Sequence, residues 1–133
     1  NETAIRPRFI GRKVLLVEDN ALNAEIAMEL LQSIGLRVDW AENGKLGVER
    51  YEASAPGEYL SIFMDMQMPV MDGVAATKLI RQSSRSDHGI AIFAMTANTF
   101  ASDRRSCREA GMDGYIPKPV RIKDIADALN ALT

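Results

Sequence analysis

Five short apolar runs, each followed by a stretch with helical spacing, constrain this chain more than any other feature of its sequence. Lys13–Val17, Leu36–Ala41, Tyr59–Met64, Ile90–Met95 and Gly114–Pro117 read as strands. Between the first two, Leu22, Ile26 and Leu30 recur at helical spacing with Ala27, Leu31 and Ile34, bounded by Asn20 as N-cap and Gly35 as stop. Asn43–Ala53 predicts a second helix ended by Pro56-Gly57, and Gly73–Ser83 a third, with Val74, Thr77 and Ile80 turned inward. Ser102–Ala110 predicts a fourth helix with a weak apolar stripe, and Ile122, Ile125, Leu129 and Leu132 mark an amphipathic last one. Regular strand–helix alternation predicts a parallel sheet with helices on both faces. The first, third and fourth runs are continuously apolar, as strands covered on both sides are, whereas residues 36–41 alternate like an edge strand. With right-handed crossovers, the compact solution is an α/β, flavodoxin-like, doubly wound five-stranded sheet in the order 2-1-3-4-5.

Composition narrows the function classes. The 133 residues suit one domain, and a formal charge of −2 supplies no basic field for direct nucleic-acid binding. The apolar runs are far shorter than a membrane span, so no membrane contact by this domain is expected. Cys107 is the only cysteine, which suits a reducing compartment, and a cytoplasmic location is expected. Residues 1–12 are polar, contain Pro7 and show no period; they read as a linker or N-terminal extension preceding a domain at 13–133. A chain that starts at Asn1 reads as a piece of a longer protein.

The polar residues that follow the strands carry the chemistry. Glu18 and Asp19 follow the first run, Asp65 the third, Thr96 the fourth and Lys118 the fifth. A parallel sheet puts all of these at one edge, and the 2-1-3-4-5 order makes strands 1 and 3 neighbours at the switch point where ligands bind. Three carboxylates in one cleft repel each other and call for a cation. Oxygen-only ligands select a hard ion, and Mg²⁺ is the expected one, leaving coordination positions for a phosphoryl group. Lys118 is suited to hold a phosphoryl oxygen as a point charge, and the Thr96 hydroxyl to donate to another. Asp65, on the central strand, is the best-placed nucleophile for an acyl phosphate.

These residues resemble the receiver domain of two-component response regulators, over about Lys13 to Leu132. The motifs are VLLVEDN at Val14–Asn20, MDMQMPVMDG at Met64–Gly73, MTAN at Met95–Asn98 and YIPKP at Tyr115–Pro119. VEDNALN and DMQMPVMDG look most like receivers attached to hybrid sensor histidine kinases. The resemblance implies that Asp65 is the phosphorylation site. It implies that Asp19 binds the metal directly, Glu18 often through water, and Gln67 through its backbone carbonyl. Thr96 and Lys118 match the phosphoryl-binding pair, and the Lys118-Pro119 bond is expected to be cis. Tyr115 matches the aromatic switch position that moves with Thr96, and Gln67 and Asn98 match positions that tune phosphate lifetime. Glu18 stands where many members have Asp, a familiar variant.

The implied function is Mg²⁺-dependent transfer of a phosphoryl group from a histidine to Asp65, followed by a change of partner surface. The implied partners are the phosphohistidine domain of a histidine kinase or a histidine phosphotransfer protein, docking near Leu22 and Ile26. The chain would then be no stand-alone enzyme, although it would catalyse its own phosphorylation and dephosphorylation.

Other readings are open to the same residues. An aspartyl-phosphate phosphatase usually needs a second Asp two residues beyond the nucleophile, where this chain has Gln67. Flavin or nucleotide binding by fold alone lacks a G-x-G-x-x-G or Walker A loop. Met64, Met66, Met68 and Met71 read as packing residues, His88 as a surface residue, and Arg104, Arg105 and Arg108 as a solvated basic face.

Overall fold

The computed structural model describes residues 5–97 and 101–132, with residues 101–103 described by backbone alone. The strands are β1 (Lys13–Val17), β2 (Arg37–Ala41), β3 (Tyr59–Asp65), β4 (Ala91–Thr96) and β5 (Gly114–Pro117). The helices are α1 (Ala21–Ser33), α2 (Gly44–Ala53), α3 (Gly73–Arg81), α4 (Ala101–Ala110) and α5 (Ile122–Asn130). The five strands form one sheet in the order β2-β1-β3-β4-β5, with every neighbouring pair parallel, as the alternation predicts.

Strand alternation splits the core into two layers. Val14, Leu16, Phe63, Phe93, Met95 and Ile116 pack with Ala24, Ala27 and Leu31 of α1 and with Ile125, Ala126 and Leu129 of α5. Leu15, Val17, Ile62, Met64, Ile92 and Ala94 pack with Val48 and Tyr51 of α2, Ala76 and Ile80 of α3, and Cys107 of α4. Burial on both faces explains why β1, β3 and β4 read as unbroken apolar runs, while β2, at the edge, is only half-buried.

Helix starts follow their side-chain caps. Asn20, Asn43 and Asp72 each accept a hydrogen bond from the backbone N–H three residues on, at 2.9, 2.9 and 2.8 Å. Gly35, at φ +105°, takes the left-handed conformation just after α1.

Three features go beyond what helical spacing alone predicts. The buried row of α1 is Ala24–Ala27–Leu31, whereas Leu22 and Ile26 are 65% and 49% exposed. Both rows have helical spacing, and the alanine row lets α1 lie close on the sheet. On α3 the innermost residues are Gly73, Ala76, Thr77 and Ile80, with Val74 half-buried. The last helix stops at Asn130, so Leu132 packs on the core from beyond it.

Residues 5–12, read from sequence as a linker or extension, lie against the domain. Ile5 and Phe9 are buried in the α1–α5 layer. The Arg6 N–H donates to Asn130 Oδ1 at 2.9 Å, and Arg8 Nη2 donates to the Leu132 carbonyl at 3.0 Å. Among the described residues, no helix is long and apolar enough to cross a membrane.

Candidate functional site

The carboxyl ends of the parallel strands form a cleft of about 270 Å³, lined by Glu18, Asp19, Asp65, Gln67, Thr96 and Lys118 among others. Each element delivers its residue for a local reason. The apolar run of β1 ends where Glu18 begins the connection to α1, and Asp19 leads into the Asn20 cap. Asp65 is the last residue of β3 and Thr96 the last of β4. The Lys118 N–H donates to the Thr96 carbonyl at 2.9 Å, which holds the residue after β5 beside the end of β4. The Lys118-Pro119 peptide is cis, as the resemblance implies.

The side chains meet. Lys118 Nζ lies 2.9 Å from Asp65 Oδ1 and 3.4 Å from Glu18 Oε2. Glu18, Asp19 and Asp65 each offer a carboxylate oxygen, and the three lie within 4.8 Å of one another. Glu18 and Asp65 are buried at 3% and 4% exposure, while Asp19 is open to solvent. Burial pushes the Glu18 carboxyl above its ordinary range and the charge of Asp65 adds to that, against the Asn20 N–H and Lys118, which pull it down. For Lys118, burial disfavours the cation, but the hydrogen bond and charge of Asp65, with the charge of Glu18, outweigh it and hold the ammonium above its ordinary value. One cation therefore faces three carboxylates.

That imbalance fits a divalent metal. The donors are all oxygen, two are withdrawn from water, and Glu18 is held at a cost that a nearby positive charge would remove. The methionines do not enter this set. Met64 is in the core, and Met66, Met68 and Met71 pack against it. His88 is exposed, in the loop before β4.

Several supporting contacts escaped the sequence reading. Trp40 Nε1 donates to the Glu18 carbonyl at 2.8 Å, and the Asn20 N–H donates to Glu18 Oε1 at 3.1 Å, so β2 and the α1 cap together orient the acid. A Cβ on Gly73 would collide with the Asp65 carbonyl oxygen, so only glycine lets α3 start this close to the end of β3. Asn23 and Met66 also line the cleft. A lone tryptophan on an edge strand signals none of this, because its partner is 22 residues away.

Tyr115 is 38% exposed, with the Arg104 guanidinium over its ring at 5.3 Å. Gln67 is exposed at the rim of the cleft. Asn98 lies outside the described residues.

A doubly wound sheet in this order with an acidic, lysine-bearing cleft at its switch point defines a class of protein, and comparison with solved structures agrees. The chemotaxis protein CheY4 of Vibrio cholerae superimposes with a TM-score of 0.82 at 24% identity, covering 92% of this chain and 99% of that one, which shows a shared fold. The model of the response regulator receiver domain matches residues 14–130, and the chain belongs to that family. As a receiver domain it is a phosphoacceptor module of two-component signalling.

Hybrid signal transduction histidine kinase L of Dictyostelium discoideum is 38% identical over 125 residues, covering 92% of this chain and 7% of that protein. The receiver domain of a sensor histidine kinase from Pseudomonas aeruginosa PAO1, described with magnesium coordinated in its active-site cleft, is 36% identical with a TM-score of 0.80, covering 90% and 94% of the two chains. The receiver domain in the complex of Saccharomyces cerevisiae Ypd1, a histidine phosphotransfer protein, with Ssk1 is 30% identical with a TM-score of 0.78, covering 91% and 88%. The chain spans between 6% and 10% of the length of three such curated kinases.

Proposed function

We propose that Asp65 accepts a phosphoryl group from a histidine of a partner protein, with Mg²⁺ held by Asp19, Asp65 and the Gln67 carbonyl, and by Glu18 through water. The observation that carries this reading is the contact of Lys118 Nζ with Asp65 Oδ1 at 2.9 Å, inside a cleft where three carboxylates converge. In the reaction a carboxylate oxygen of Asp65 bonds to phosphorus as the phosphorus–nitrogen bond of the phosphohistidine breaks. The imidazole nitrogen keeps the bonding pair. A bound Mg²⁺ supplies charge neutralisation for the carboxylates and the transferring group. Lys118 stands where negative charge gathers and exchanges its hold on the carboxylate for one on a phosphoryl oxygen. The Thr96 hydroxyl, at the end of β4 and facing the cleft, donates to another. Catalysis of this kind is positioning and electrostatics, which a rigid sheet edge supplies. Tyr115 turns inward once Thr96 has moved to the phosphoryl group, and the face formed by α4 and β5 changes with it.

The partner surface follows from what adjoins the cleft. A largely apolar groove lined by Ile26, Ala27, Pro119 and Val120 runs from Lys118 along α1, with Leu22 exposed nearby. A histidine-bearing helix seated there would present its imidazole to Asp65. The Ypd1–Ssk1 complex involves a related receiver domain and supports a phosphotransfer protein as donor or acceptor. The cytoplasm, where kinases meet ATP, is the location this reading implies. A phosphatase reading is weaker, because the Gln67 carboxamide is far too weak an acid to serve as a general acid.

The test is incubation with Mg²⁺ and a small phosphodonor, followed by intact-mass analysis. One labile adduct of a single phosphoryl group is expected, absent in Asp65→Ala. An adduct that persists in Asp65→Ala, or continuous turnover of phosphate esters, would defeat the proposal.

A further inference from the structure

We propose that Arg104 latches Tyr115 in its outward position and so sets how readily the cleft passes to its phosphorylated arrangement. The inference rests on the reading above, in which the Tyr115 ring turns inward when Asp65 is phosphorylated. Arg104 sits on α4 and Tyr115 on β5, 11 residues apart in sequence, and the guanidinium carbon stands 5.3 Å from the ring centroid. That distance is within cation–π range, and a planar guanidinium is the cation best suited to lie over an aromatic face. The ring is 38% exposed, so the contact is at the surface rather than in the core.

Its place in the fold gives the contact leverage. In the β4–β5 register Tyr115 lies opposite Ala94, and Pro117 lies opposite Thr96, the hydroxyl at the cleft. The next residue is Lys118, whose ammonium contacts Asp65. The ring, the hydroxyl and the ammonium therefore ride on two adjacent strand ends. Any rotation that carries the ring toward Thr96 takes it out from under Arg104, so the contact exists in one state and is lost in the other. A contact of that kind biases the equilibrium, and by linkage it weakens binding of a phosphoryl group by the same factor as it favours the outward ring. For a solvent-accessible cation–π pair the factor is about two- to fivefold.

Arg104 also carries a positive charge that favours an anionic adduct whatever the ring does, so the ring must be separated from the charge. The measurement is the apparent affinity for beryllofluoride in saturating Mg²⁺, read by NMR, for wild type, Arg104→Ala, Tyr115→Ala and the double variant. Arg104→Lys serves as a variant that keeps the charge and weakens the stacking.

The latch predicts that Arg104→Ala tightens binding about two- to fivefold when Tyr115 is present and produces no tightening in Tyr115→Ala. Arg104→Lys should fall between wild type and Arg104→Ala, and in both variants the Tyr115 ring resonances should shift toward their beryllofluoride-bound positions before any ligand is added. Equal affinity with and without Arg104, or the same change in both backgrounds, would overturn the latch. Absence of any beryllofluoride response in the wild type would overturn the phosphoacceptor reading instead, so the two failures are told apart.

Discussion

The molecule holds two clusters of charge that contain mostly the same kinds of group and behave in opposite ways. In the clasp between α2 and the loop before β4, Asp87 accepts from Arg85 Nε at 2.9 Å, from Arg85 Nη2 at 3.1 Å, from Tyr51 Oη at 3.0 Å and from the Gly57 N–H at 3.0 Å. Arg85 Nη1 also donates to the Ser54 carbonyl at 2.6 Å, and its guanidinium stacks over Tyr51 at 4.4 Å. Every charge has a partner, and Arg85 first among them holds the Asp87 carboxyl far below the usual carboxylate range. In the cleft, by contrast, one lysine faces three carboxylates and burial pushes Glu18 upward. The clasp is complete within the chain and fastens a loop. The cleft is incomplete within the chain, and what it lacks, positive charge, is what a bound divalent cation would supply.

The largest effect that would sharpen this contrast lies in the clasp. Arg85→Ala leaves Asp87 with hydrogen bonds but no counter-ion in a half-buried setting, and should cost about 2 kcal/mol of stability by urea unfolding. The pH dependence has a fixed sign. A depressed folded-state pKa contributes stability above the ordinary Asp value of about 3.9 and loses it as pH falls below that value. The stability deficit of Asp87→Asn relative to wild type should therefore be full at pH 7 and shrink as the pH is lowered from about 4. A deficit that does not change with pH would break the account of the clasp.

The next effect concerns the cleft. Asp19→Asn should weaken Mg²⁺ binding at least about tenfold, roughly 1.4 kcal/mol. Thermal unfolding with and without Mg²⁺ checks this: the wild type gains stability with the ion, and the variant gains much less. The smallest effect is the most diagnostic. Glu18→Gln removes one carboxylate from an overcrowded site and should raise Tm in EDTA by about 2–4 °C, while reducing the further rise that Mg²⁺ brings. A fall in Tm in EDTA would mean that Glu18 and Lys118 form a self-sufficient pair, and the contrast between the two clusters would disappear.

Much of the site is legible in the chain because its parts are anchored to strand ends. Once five apolar runs are recognised, Asp65, Thr96 and Lys118 fall at one edge by topology alone, and the sheet order brings Glu18 and Asp19 beside them. The clasp is not legible in the same way. Tyr51 and Asp87 are 36 residues apart, and nothing in a polar loop of serines, Arg85 and Asp87 announces that it will close on a helix. The segment at 5–12 is similar, since three apolar side chains among arginines and a proline carry no period, yet Ile5 and Phe9 are buried while Ile10 is exposed.

What the sequence alone determined was the alternation of elements, the parallel sheet and the identity of the acids and the lysine at its edge. These depend on local periodicity and on the short reach from a strand to the residue after it. Only the tertiary structure decided which row of α1 faces inward, that Trp40 steadies Glu18, that Arg85 closes on Tyr51, and that Arg104 stands over Tyr115. Helical spacing states which residues share a face, but the face that is buried, and the partner a long side chain meets, depend on packing between segments far apart in the chain.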